Sequence, residues 1–234
     1  MATLPTTIQL ITEPSDVYHA RSHDGTYLSS HMLATFRRCP FEYKQIIDGV
    51  IVPADTESLH VGEATHCLLL EGPRELEKRY AWGGPINPTT GKSYGYDTKA
   101  YREWAQAQGM PILTDKEFDE VTDTADALQR HPVARDLLSD GFAERVVRTR
   151  LLDTECQIRM DYIRFTPAPL IVDLKTCRDL DLFEVDARRF DYIHQLAFYR
   201  SVVKQACGIA PDVTIIAVEK RLPRRVGIWN LPTE

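Results

Sequence analysis

Two aspartates and a lysine stand on neighbouring apolar stretches, Asp161 within residues 156–165 (CQIRMDYIRF) and Asp173 and Lys175 within residues 170–175 (LIVDLK). Both stretches are rich in β-branched, aromatic and other apolar residues. Pro167 and Pro169 between them cannot donate to a ladder and so mark a turn. A hairpin centred on Pro167 places Asp161 directly across from Asp173, with Cβ atoms about 4.5–5.5 Å apart. Facing carboxylates destabilise a sheet unless positive charge lies between them, and a hard divalent cation bound by oxygen ligands supplies it. Lys175, two positions beyond Asp173, projects from the same strand face. An Asp-x-Lys on a strand is commonly a solvated ion pair. Here Leu170, Ile171, Val172 and Leu174 imply a strand buried on at least one face, where such charges need a compensating ion or partner.

The elements that must position these groups come next. Residues 146–152 read as a strand, and a two-residue turn at Asp153-Thr154 sets Asp161 across from Val146, with Glu144 one pleat along as a candidate third carboxylate. A helix runs from Ser58 to a stop at Gly72-Pro73. It is apolar on most sides, so Glu63 and His66 are its conspicuous polar residues, and His66 is a candidate metal ligand. Ser29 and Ser30 can cap a helix that Pro40 breaks, and its Arg37 and Arg38 could meet phosphates or merely solvent. Residues 190–207 form an amphipathic helix whose Tyr192, Gln195 and Tyr199 make a polar-aromatic stripe able to donate to a phosphate. Residues 81–96 read as a loop, residues 96–108 and 115–138 as helices, and residues 213–219 and 226–231 as closing strands.

Length and composition set the bounds. The 234 residues can bury a full core. No apolar run approaches the roughly 18 residues of a membrane span, and the first residues lack the basic start of a signal peptide, so the expectation is a cytoplasmic protein without a membrane partner. Five cysteines without a C-x-x-C pair argue for reduced thiols. The net charge of −6 argues against a protein that coats nucleic acid. It is uneven, however, at −8 over residues 1–141 and +2 over residues 142–234.

Read in order, the chain offers Gly62-x-x-x-His66, three strands carrying Asp161 and Asp173-Leu174-Lys175, then Gln195-x-x-x-Tyr199. Over about residues 29–220 this resembles the PD-(D/E)XK nuclease superfamily, in the branch of exonuclease VIII, the phage lambda exonuclease and the CRISPR adaptation nucleases. The resemblance implies a mixed α/β fold, with a central mixed β-sheet flanked by helices in a restriction-endonuclease-like core and an N-terminal helical region. It further implies one nuclease domain over 29–234, helical over 29–141 and sheet-based over 142–234, behind a loosely ordered lead-in at 1–28. His66, Asp161, Asp173 and the Leu174 carbonyl would hold Mg²⁺ or Mn²⁺, with Glu144 nearby. Lys175 would be the catalytic lysine, its pKa open to depression by the metal, and Gln195 and Tyr199 would help hold DNA and orient the site. The implied activity is a metal-dependent deoxyribonuclease, an exonuclease on double-stranded ends in recombination or phage DNA processing. A single-strand annealing protein and copies of itself are the implied partners. A structure-specific or restriction-like endonuclease and a non-catalytic DNA-binding module are the alternatives. Met160 stands where the family name has proline. The segment up to Cys39-Pro40 is similar to the iron-sulfur members, but the later cysteine trio is missing, so no cluster is expected.

Overall fold

Alternating apolar stretches closed by short turns build a mixed five-stranded sheet, and a computed structural model describes residues 8–52 and 57–232 of the chain. Three helices come first, α1 (Ser15–His23), α2 (Ser30–Arg38) and α3 (Pro40–Ile47). Next are α4 (Glu57–His66), a π-helical turn (Cys67–Glu71), α5 (Pro73–Arg79), β1 (Ala81–Trp82), α6 (Lys99–Gln108), β2 (Ile112–Leu113) and α7 (Asp115–Arg130). The remainder is α8 (Pro132–Leu137), β3 (Phe142–Leu151), β4 (Thr154–Arg164), β5 (Leu170–Cys177), a 3₁₀ turn (Leu180–Leu182), α9 (Phe183–Arg189), α10 (Tyr192–Cys207), β6 (Asp212–Glu219) and β7 (Val226–Asn230). The described residues divide into two compact units, one within 1–55 and 128–234 and the other within 56–127.

In the first unit the strand order is β3-β4-β5-β6-β7. Only β5 and β6 are parallel, because the chain crosses over between them through α9 and α10. Leu196, Val202 and Val203 of α10 bury against Ile158, Met160, Ile171 and Ile215 of the sheet. Each side chain so buried contributes about 1.5–3 kcal/mol, and Leu196→Ala is expected to cost about 2–5 kcal/mol. At the start of β3 the backbone passes so close to β4 that a Cβ on Gly141 would lie 2.6 Å from the Ile163 carbonyl. Only glycine fits there.

Residues 8–28 hold more structure than their sequence suggests, the first seven residues of the lead-in lying outside the described residues. Ile11 bridges to Val146 and Leu28 to Cys156. The fully buried Gln157 donates to the Tyr18 carbonyl at 2.7 Å and the Ser22 hydroxyl at 2.8 Å, and accepts from Arg148 at 3.1 Å. A satisfied buried amide therefore fixes α1 to the sheet. Ser29 caps α2 by accepting from the Met32 amide, and Cys39 caps α3, whose first residue is Pro40. Proline lacks the N–H that a first helical position leaves unpaired anyway.

The second unit has its own core, built by Val61, Ala64, Cys67, Leu76, Leu113 and Val121, with Trp82 stacked on Phe118 at 4.5 Å. Helix α4 passes through a π turn and stops at Gly72, whose φ of +94° suits glycine. Glu63 is exposed, so α4 is one-sided where the sequence suggested burial nearly all round. Burial, aided by Glu63 nearby, raises the Tyr80 hydroxyl to about 12.

Candidate active site

Glu144, Asp161 and Asp173 form one row across β3, β4 and β5, and the sheet opens along it. Between β3 and β4, Ala143 pairs with Tyr162 and Arg145 with Met160, leaving Glu144 and Asp161 facing each other without a ladder pair. Between β4 and β5 the ladder runs Arg164–Leu170, Ile163–Ile171, Tyr162–Val172 and stops one step short of Asp161 and Asp173. The freed Leu174 N–H donates to Asp161 Oδ2 at 2.7 Å, so the carboxylate replaces the missing strand partner. Glu144 has φ +51°, a backbone state costly for a residue with a Cβ and typical of functional sites.

The hairpin centred on Pro167 is therefore as expected, but the preceding turn is not. The turn residues are Leu152-Asp153, both at positive φ (+48° and +64°), as a type I′ turn requires. Val146 thus pairs with Arg159 instead of facing Asp161, and Glu144 takes the facing position. A two-residue shift keeps every side chain on its original face, which is why the misplaced turn still put Glu144 on the correct side.

A carboxylate oxygen of Glu144 and one of Asp161 lie within 4.8 Å of each other, a spacing that a divalent cation with oxygen ligands can bridge. Arg159, which the sequence reading passed over, donates from Nε to Glu144 Oε2 at 2.9 Å. Asp173 is 2 % exposed and its Oδ2 lies 2.6 Å from Lys175 Nζ. The ammonium also lies over the Tyr192 ring, 4.9 Å from its centroid. Burial opposes the charge on Lys175, but Asp173 and Asp161 outweigh it, and the pKa is held above its ordinary value. These neighbours favour the ammonium form of Lys175, while the depression expected from sequence is ascribed to a bound metal.

On α10, Gln195 donates to the Tyr199 hydroxyl at 3.1 Å. Tyr199 is 4 % exposed, and burial next to Asp173 drives its pKa up. Its hydroxyl therefore stays protonated and holds Gln195 from below. Tyr192 is raised too, by burial against the opposing pull of Lys175. Arg37 is exposed and pairs with Asp191 at 2.8 Å, while Arg38 makes an i,i+4 pair with Glu42 at 2.7 Å. The structure thus gathers Glu144, Asp161, Asp173, Leu174, Lys175, Tyr192, Gln195 and Tyr199 in the first unit. His66 belongs to the second unit, half-buried at the last residue of α4, where the helix changes to the π turn. Single π turns are frequent at functional sites.

The model of the family described as "PDDEXK-like domain of unknown function (DUF3799)" matches residues 29–234. The chain belongs to this family. Among solved structures, this PDDEXK-like domain is similar to the crystal structure of a "putative exonuclease" from Eubacterium rectale, with a TM-score of 0.67 at 16 % identity over 95 % of this chain and 79 % of that one. At that identity the likeness speaks for the fold, which is restriction-endonuclease-like. No curated protein matches the PDDEXK-like chain. No helix among its described residues is long and apolar enough to cross a membrane.

Proposed function

We propose that this PDDEXK-like protein is a metal-dependent deoxyribonuclease that hydrolyses phosphodiester bonds from the ends of double-stranded DNA. The observation that carries the reading is the row Glu144, Asp161, Asp173, set where both ladders open, beside the Lys175 ammonium. Paired carboxylates fit Mg²⁺ or Mn²⁺, and Asp161, Asp173 and the Leu174 carbonyl would hold it, with Glu144 beside them. The order of sequence motifs adds His66. Such an ion, when bound, polarises a phosphoryl oxygen and lowers the pKa of water.

The chain's own residues supply the rest. Asp173 and the Tyr192 ring fix the Lys175 ammonium, and a fixed positive charge is most effective where negative charge develops on the scissile phosphate. Tyr199 holds the Gln195 amide as a donor toward the DNA backbone. Action from an end, in recombination or phage DNA processing beside a single-strand annealing protein, rests on the sequence resemblance and on the exonuclease name given to the similar structure. Incubation with Mg²⁺ and either linear or covalently closed duplex tests it. Digestion of the linear form alone supports an exonuclease. Linearised circles indicate the endonuclease alternative, and salt-dependent binding without turnover under any divalent ion indicates a binding module.

A further inference from the structure

Three of the chain's seven histidines meet where α1 and α2 adjoin, outside the row of acids. His19 and His23 stand one turn apart on α1 and so share a helix face, with ring centroids 6.1 Å apart. His31, the second residue of α2, brings its ring to 6.2 Å from that of His19. Histidines at i and i+4 have the spacing by which one helix holds zinc, and a third imidazole from another element completes a common ligand set.

With metal–nitrogen bonds of about 2.0–2.1 Å, imidazoles on one ion have centroids roughly 5–5.5 Å apart, so these rings stand within about 1 Å of ligating distance. Their nitrogens are not gathered as closely as the oxygens of Glu144 and Asp161. His19 and His23 are half-buried and His31 is exposed, so rotation about side-chain torsions can close the gap. An imidazole has two ring nitrogens, and each ring can bind an ion through one while the other keeps a hydrogen bond.

The surrounding charges are mixed. Lys175, Arg21 and the amide end of α2 oppose a cation, whereas Asp24 beside His23, Asp16 one turn before His19 and the carbonyl end of α1 attract one. Although part of its surface meets solvent, crowding of the ring by neighbouring residues, followed by the charges of Lys175 and His23, lowers the His31 pKa. That favours the neutral imidazole, the form that ligates.

We propose that His19, His23 and His31 form a site for a divalent transition ion of the zinc class, with water as the fourth ligand, which fastens α1 to α2. Imidazoles suit zinc, copper and nickel, whereas the oxygen ligands of the acid row suit magnesium and manganese, so two kinds of cation would be sorted between two places. The inference does not depend on the nuclease reading.

Zinc binding is measured on the full chain by isothermal titration calorimetry with Mg²⁺ in excess, in the wild type and in Asp161→Asn, which disables the acid row. Co²⁺ serves as a second probe, because its visible absorption reports tetrahedral nitrogen ligation. One saturable zinc per chain is expected in both proteins. His23→Ala and His31→Ala, each folded by circular dichroism, are expected to weaken it at least about tenfold and to remove the cobalt band. Zinc is also expected to raise the melting temperature of the wild type and not that of His31→Ala, in which the ion no longer joins the two helices. Unchanged zinc affinity in both histidine variants overturns the proposal. So does a zinc signal that vanishes in Asp161→Asn while the histidine variants keep it, since zinc then occupies the acid row. Weakening in His23→Ala alone overturns the three-ligand assignment, and zinc-induced dimers in sedimentation velocity overturn it as well, because the ligands then come from two chains.

Discussion

Two buried carboxylates on adjacent strands, Asp173 on β5 and Glu219 on β6, are both almost inaccessible to solvent, yet their surroundings differ in kind. Glu219 accepts from Arg225 Nε at 3.0 Å and Nη2 at 2.7 Å and from the Leu180 N–H at 3.1 Å. The Arg225 bonds come first among the causes that lower its pKa to about 2, and of the nearby acids Asp179 is half-buried and paired with Arg221 and Arg225 while Asp181 is exposed. Around Asp173 the acids Glu144 and Asp161 crowd into a half-buried row, with Lys175 and Arg159 as the adjoining cations and strand ladders that break where the acids meet. One cluster is satisfied and closes the β6–β7 end of the sheet. The other keeps like charges together at the cost of main-chain pairing, which suits the cation site proposed there.

Changes at the two clusters should therefore break different properties. Lys175→Ala is expected to lower DNA cleavage by about 10³-fold or more, with the far-ultraviolet CD spectrum unchanged. Wild-type rates in that variant would remove the functional half of the contrast. Arg159→Ala removes the guanidinium bonded to Glu144 and is expected to change Mn²⁺ affinity about 10–100-fold, with Arg159→Lys partly restoring it. Unaltered metal binding would make Arg159 purely structural. Arg225→Ala should leave kcat unchanged while costing about 1–3 kcal/mol in urea unfolding, because Glu219 loses its main donor.

The sign of the acid dependence follows from Glu219. Its folded pKa lies below the ordinary 4.5, so its stabilisation is fully present above about pH 4.5 and fades as pH falls toward 2. An acid titration followed by tryptophan fluorescence should show this dependence reduced in Arg225→Ala. The smallest effect expected is Leu152→Asn, which should stabilise the fold by about 1 kcal/mol in the same unfolding assay, since Leu152 is 91 % exposed at a left-handed position.

Leu152 also shows where the sequence could not be read. A leucine does not advertise a type I′ turn, so Asp153-Thr154 looked the better corner and the β3 register came out two residues off. The hairpin over Pro167 was legible because two prolines leave few alternatives, and with it came the row of Asp161 and Asp173 and the face of Lys175. The opening of the ladders was invisible, because it follows from a side chain taking the Leu174 amide. Arg159 carries no motif of its own, although its place two residues before Asp161 on the same strand face is a usable signal. Asp191 was hidden because residues 190–207 read as one helix, whereas α10 begins at Tyr192 and Asp191 before it has a left-handed φ of +62°. The separate unit at 56–127 leaves no mark in composition, its helices being amphipathic like the rest.

The central claim is that the row of carboxylates binds a divalent cation at the opened ladders. A Mn²⁺ titration followed by electron paramagnetic resonance, on the wild type and on Asp161→Asn, tests it most directly. A saturable site in the wild type that is weakened at least tenfold in Asp161→Asn is the expected result. Equal Mn²⁺ binding by the two proteins would contradict it.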